Sequence, residues 1–199
     1  MREFRMMKGT KALWLGLLMG IMLAIAGCSS GASASDGKLH VVTTTGQIGD
    51  LATNIGGDMV HVESLMGPGV DPHLYVASES DVERLAEADV ILYNGLHLEA
   101  QMAEVFEQIA QYKTVQAVAN GIDPSRLLGW GVDGTQHDPH VWFDVQLWGQ
   151  AGEAVRDTLI TADPENAETY RANAEIYLKQ LAQLDDYVRT QAMSLPVDR

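Results

Sequence analysis

From Lys38 onward the chain alternates between two hydrophobic periods, and this alternation limits the fold more than any other feature. "LHVVTTT" (Leu39–Thr45), "MVHVESLM" (Met59–Met66), "DVILYN" (Asp89–Asn94) and "KTVQAV" (Lys113–Val118) are short β-branched or apolar runs that read as strands. Helical patterns separate them. One surrounds Ile48–Ile55. A second opens on Ser78, which forms a capping box with Asp81 ahead of Val82, Leu85 and Ala86. A third carries Leu98, Met102, Val105, Phe106 and Ile109 at helical spacing. Strands that alternate with helices imply an α/β lobe built on a mostly parallel four-stranded sheet flanked by helices. In such sheets ligands gather beyond the carboxyl ends of the strands.

The last third changes character. Asp163 reads as an N-cap with Pro164 in the first turn. Tyr170, Ala174, Tyr177, Leu181, Leu184 and Val188 then recur at steps of four and three up to Pro196. That predicts one helix of roughly 30 residues, about 45 Å long, which is longer than one small lobe is wide. Periodicity alone allows two uses, a coiled-coil partner or a spine between two lobes.

Two loop segments share a tripeptide. "VDPHLY" (Val70–Tyr75) and "HDPHVWFD" (His137–Asp144) both contain Asp-Pro-His, and their histidines, His73 and His140, stand 67 residues apart. Proline fixes its own backbone and biases the preceding residue toward extended conformations, so each histidine follows a stiffened stem. Stiff loops that present imidazoles suit metal ligation. "GPGVDPH" follows the second strand directly, which puts His73 at the carboxyl edge of the expected sheet.

The N-terminus reads as a targeting segment. Arg2, Arg5, Lys8 and Lys11 precede an uninterrupted apolar run from Ala12 to Gly27. Sixteen residues fall short of the about 20 that a spanning helix needs, and the run ends in small residues as a secretory signal does. Those residues lead into Cys28, and Ile25-Ala26-Gly27-Cys28 resembles the lipobox of bacterial lipoproteins. The expectation is cleavage after residue 27 and lipidation of Cys28, against the plainer readings of a secreted protein or an uncleaved anchor. Cys28 is the one cysteine, so an intramolecular disulfide is excluded. "SSGASASDG" (Ser29–Gly37) is too small and polar to pack, so 28–37 is expected to be a flexible tether. Residues 1–27 carry four basic and one acidic side chain, so their removal takes the net charge from −14 to −17. Such acidity argues against nucleic acid and agrees with a cationic ligand, though solubility alone accounts for it equally well.

Taken together, the lipobox, "VVTTTGQIGDLATNIGGD", "GPGVDPHLYVASESDVERLAEADVILYNGLHLE", "DPHVWFDV" and the long helix resemble the solute-binding lipoproteins of bacterial ABC transporters for manganese and zinc, the cluster A-I or cluster 9 family. The resemblance runs through nearly all of Leu39–Arg199. It implies two α/β lobes joined by one rigid helix, with the metal between them. It implies that His73 and His140 are the two ligands of the N-terminal lobe. A third ligand (His or Glu) and a fourth (Asp) would come from a second lobe, expected beyond Arg199 and so absent from these residues. The implied organisation is a lobe at 38–162, a linking helix at 163–195, and the start of the second lobe at 196–199. The implied role is extracytoplasmic and lipid-anchored: capture of Mn²⁺ or Zn²⁺ and delivery to an ABC permease with its ATPase, with no catalysis.

Two other classes compete. A zinc hydrolase would also use paired histidines, but no His-Glu-x-x-His occurs, and catalytic zinc wants three protein ligands and an open position. A metal-independent surface adhesion protein has no sequence feature in its favour. Among the remaining histidines, His137 could join His140 in an alternative site. His97 reads as a structural or supporting residue near the sheet edge, and His61 and His40 read as ordinary strand positions. Asp71 and Asp138 suit either of two roles, bonding the local backbone as turn residues or fixing an imidazole tautomer, and the turn role is preferred. Trp130, Trp142 and Trp148 read as packing or loop-anchoring residues rather than a ligand-stacking set. Between Asn120 and His140 only His137 adds an imidazole, whereas zinc-uptake members often carry a histidine-rich loop there. That leans toward manganese or a general divalent site.

Overall fold

The computed structural model describes residues 37–131 and 134–196. Cys28, the apolar run before it and the tether up to residue 36 lie outside the described residues. No described helix is long and apolar enough to cross a membrane.

Four strands form one sheet: β1 (Leu39–Thr45), β2 (Val60–Met66), β3 (Val90–Tyr93) and β4 (Thr114–Ala117), in the order β2-β1-β3-β4. Every neighbouring pair is parallel. The strands lack polar alternation because both faces are covered. Val41 and Leu92 pack on one face against α1 (Gly46–Gly56) and two later helices, α4 (Val145–Ala162) and α5 (Ala167–Met193). Val42 and Ile91, one step along each strand, turn to the other face toward α2 (Glu79–Glu87) and α3 (Ala103–Ile109).

The capping box at Ser78 forms as the sequence implies. Its hydroxyl accepts the Asp81 amide (3.3 Å), and the Asp81 carboxylate accepts the Ser78 amide (2.8 Å). Other boundaries shift. Met59 belongs to a 3-10 turn, Gly57–Met59, before β2. The third helical pattern is α-helical only over Ala103–Ile109, after a 3-10 turn at Ala100–Met102, with Leu98 in the preceding turn.

The region between the second Asp-Pro-His and the long helix holds an element that the strand–helix reading leaves out. It is α4, 18 residues long. Asp144 caps it, accepting the amides of Gln146 (2.9 Å) and Leu147 (3.1 Å). Leu147, Ala151, Val155 and Leu159 then point into the core at steps of four. Gly152 lies where three helices converge. A Cβ there would meet Leu178 Cδ2 at 3.3 Å and Leu51 Cδ2 at 3.6 Å.

Asp163 does not cap the long helix with its side chain. Its Oδ2 accepts the Tyr170 hydroxyl (2.6 Å) and the Asn166 amide (2.8 Å) instead. A 3-10 turn, Pro164–Asn166, leads into the 27 residues of α5. The helix stops three residues before Pro196 and is about 40 Å long. Only Tyr170 and Ala174 in it are buried. Asn173 reaches the Ile55 carbonyl (3.1 Å) and Tyr177 the Asp50 carboxylate (2.8 Å), so contact with α1 continues one turn further.

Candidate metal site

Both Asp-Pro-His loops leave from places that the fold holds still. The first follows β2, where Val70 N–H bonds the Gly67 carbonyl (3.3 Å) and Leu74 N–H the Asp71 carbonyl (3.3 Å). Asp71 Oδ1 accepts the His73 amide (2.9 Å), the turn role expected for it. The second loop runs from a small antiparallel hairpin, β5 (Gly129–Trp130) and β6 (Gln136–His137), into the 3-10 turn Val141–Phe143 and then α4. Asp138 N–H bonds the Leu128 carbonyl (2.8 Å), and Val141 is buried.

A buried polar network holds the stem of His140 from below. Asn94, at the carboxyl end of β3, donates to the Pro139 carbonyl (3.0 Å) and to the Gly95 carbonyl (3.0 Å). Beneath it the Glu99 carboxylate accepts the Thr44 hydroxyl (2.7 Å) and the amides of Asn94 (2.8 Å) and Gly95 (3.2 Å). Burial pushes the Glu99 carboxyl above its ordinary range, although all three of these bonds favour its ionised form. The connection between Asn94 and Glu99 includes Leu96 and His97, both at positive φ (52° and 66°). Neighbouring left-handed residues other than glycine persist only where their surroundings hold them, and the Glu99 bonds do so. The sequence signal for this network was thin: a polar Asn at a strand end, and an acid in an otherwise apolar turn.

These supports bring the two predicted histidines together. His73 Nε2 lies 3.3 Å from His140 Nε2, with ring centroids 5.3 Å apart and planes at 57°. That spacing matches the roughly 3.3 Å between two nitrogens across a tetrahedral zinc with Zn–N bonds of about 2.0–2.1 Å. Asp138 reaches both the backbone and the ring of His140. Its Oδ1 accepts the His140 amide (3.0 Å) and lies 2.6 Å from Nδ1 of the same ring. The His140 amide, together with the ring N–H, holds the Asp138 carboxyl below its usual range against the opposing pull of burial.

The tryptophans divide. Trp148 packs in the core, as expected. Trp142 packs against the core and stands edge-on to His140 at 5.2 Å, whereas Trp130, 6.0 Å from the same ring, is exposed rather than packed. A cleft of ≈ 640 Å³ lies alongside, lined by Thr45, Asp50, Pro72 and Trp142 among others.

The other histidines stay apart from this pair. His137 lines a different cavity, of ≈ 440 Å³, together with His97 and Glu99. His40 and His61 are register partners at the amino ends of β1 and β2, with ring centroids 5.6 Å apart. That is the opposite edge of the sheet from His73. Among the described residues no group of three or more His, Cys, Asp or Glu side chains is arranged to hold a metal.

The family model for the periplasmic component A of a zinc-uptake complex (ZnuA) matches residues 41–199. The chain belongs to the ZnuA family. It is 46% identical over 187 residues to the zinc-binding protein TroA of Treponema pallidum, covering 94% of this chain and 59% of TroA. It is 42% identical over 186 residues to the manganese-binding lipoprotein MntA of Bacillus subtilis, covering 91% of this chain and 60% of MntA. The solved structure of the Treponema pallidum periplasmic zinc-binding protein TroA superposes with a TM-score of 0.77 at 48% identity, over 80% of this chain and 57% of that one. The chain thus spans about three fifths of the length of the relatives it matches. The ZnuA family consists of substrate-binding components of metal importers, not enzymes, which sets the hydrolase alternative aside.

Proposed function

We propose that this ZnuA-family protein captures one divalent transition-metal ion outside the cytoplasm and delivers it to an ABC permease and its ATPase. His73 Nε2 and His140 Nε2 are two of the ligands. The observation that carries this reading is the 3.3 Å spacing of those nitrogens on two independently braced loops. Imidazole suits zinc and manganese alike, and the remaining ligands decide between them. We infer that those ligands lie in the part of the relatives' length that this chain does not span, beyond a linking helix at 163–195. The lobe at 38–162 then contributes half of the shell. The scarcity of histidine between Asn120 and His140 favours manganese, while TroA carries a zinc name and MntA a manganese one. We further propose that Cys28 is lipidated after removal of residues 1–27, with 28–37 as the tether.

Calorimetric titration with Mn²⁺ and Zn²⁺ tests the site. His73→Ala and His140→Ala should each weaken binding by orders of magnitude, and His61→Ala should leave it unchanged. Equal affinities in all three variants would end the assignment. Mass spectrometry of the membrane fraction tests the anchor. An unmodified Cys28 thiol, or retention of residues 1–27, would exclude it.

A further inference from the structure

The two imidazoles that face each other are not equivalent. An ionised carboxylate only accepts hydrogen bonds, so at 2.6 Å from Asp138 Oδ1 the Nδ1 of His140 is the donor. In the neutral ring that leaves Nε2 as the lone pair facing His73. Trp142 stands edge-on to this ring at 5.2 Å, beside the bond. Among the described residues His73 has no such partner. Asp71 Oδ1 bonds only the His73 amide, and among the described residues no carboxylate is bonded to the His73 ring. Two lone pairs would repel at 3.3 Å, so with both rings neutral the arrangement that fits this spacing has His73 Nε2–H donating to His140 Nε2.

We infer that Asp138 is a positioning residue for metal capture, holding His140 in the ligating tautomer and orientation before the metal arrives, whereas Asp71 shapes only its own loop. The inference rests on the reading of His140 as a ligand. It divides two Asp-Pro-His segments that look alike in sequence into one preset arm and one that must adjust. Carboxylates bonded to metal-bound imidazoles typically change metal affinity by about 10–100-fold when removed, and Asp138 should fall in that range.

The experiment uses the full-length protein with Asp138→Ala, Asp138→Asn, Asp71→Ala and His140→Ala variants. Zn²⁺ and Mn²⁺ affinities are measured by competition with a chelator. The ring tautomers of the metal-free protein are read from long-range ¹H–¹⁵N spectra at mildly alkaline pH. Asp138→Ala should weaken binding about 10–100-fold and convert His140 from a pure Nδ1–H form to a mixture. Asp138→Asn keeps a neutral acceptor for both bonds, so it should recover part of the affinity and most of the tautomer. Asp71→Ala removes the matching backbone bond and controls for the turn, so its loss should be several-fold smaller than that of Asp138→Ala. Equal losses for the two Ala variants, or an unchanged His140 tautomer in Asp138→Ala, would overturn the positioning role even if His140→Ala abolishes binding. If His140→Ala itself binds normally, the site reading fails and the positioning role fails with it.

Discussion

Asn94 holds the carbonyl of Pro139 at 3.0 Å, linking the end of β3 to the residue just before His140. The loop that presents the imidazole is therefore anchored to the end of one of the two inner strands of the sheet. Asn94 is 1% exposed, so bulk water does not reach the bond. Asn94→Ala should cost about 1–3 kcal/mol, because a buried carbonyl loses a donor. It should also weaken metal binding, but less than His140→Ala does. Asn94→Asp should be worse than Ala, since it would place a carboxylate beside Glu99 and two carbonyl oxygens. Urea midpoints and metal titrations of the two variants check both orderings.

Acid should weaken the lobe through Asp81. Burial alone would raise its carboxyl, but the hydroxyl and amide of Ser78, the Tyr75 hydroxyl and Arg84 together outweigh burial and bring it down to about 2. A depressed carboxyl stabilises the fold only while ionised in the native state. The contribution is complete above the unfolded value of 3.8 and is lost as pH falls through about 2. It should amount to about 2 kcal/mol. Asp81→Asn should flatten the stability profile across that window and leave a less stable protein at neutral pH. Denaturation midpoints taken stepwise through the acid range read the slope directly.

The sequence made the sheet legible because each strand is a short, continuous apolar run, which is what burial on both faces produces. The candidate site was legible for a different reason. Two proline-stiffened histidines can be seen in a string of letters, and the carboxyl-edge rule says where one of them points. The α4 helix was harder to see. Gly149 and Gly152 dilute its pattern, and Gly152 lies where α1, α4 and α5 approach so closely that a Cβ would press on Leu178 at 3.3 Å. The pairing of Asp138 with the His140 ring, and the Asn94–Glu99 support, join residues whose distance in sequence says nothing of their contact. Only packing shows them.

Gly56 allows β2 to start where it does. It has ordinary helical φ and ψ, so alanine there would on propensity alone stabilise the end of α1 by up to about 1 kcal/mol. A Cβ, however, would lie 2.3 Å from Cγ2 and 2.6 Å from Cγ1 of the buried Val60. The clash should win, and Gly56→Ala should destabilise by about 1–3 kcal/mol. Adding Val60→Ala should give back part of that loss, so the two substitutions couple favourably in a double-mutant cycle. Metal affinity should not change, because this corner lies at the opposite edge of the sheet from His73.

The long helix should be held at one end and loose at the other. Tyr170 is fully buried with its hydroxyl on Asp163 (2.6 Å), and the neighbouring Ala174 is covered as well. Farther along, Leu184, Tyr187 and Val188 are exposed, and Met193 is 81% exposed. Helices owe most of their stability to packing of one face, so local stability should fall along the chain with that cover. Amide exchange should be slow through Ala174, intermediate near Tyr177 and fast toward Met193. Tyr170→Phe removes one buried hydrogen bond and keeps the ring, so it should cost about 1–2 kcal/mol. It should speed exchange in the first turns while leaving the already fast tail unchanged. Slow exchange as far as Met193 in a proven monomer would show that the exposed stripe is covered after all.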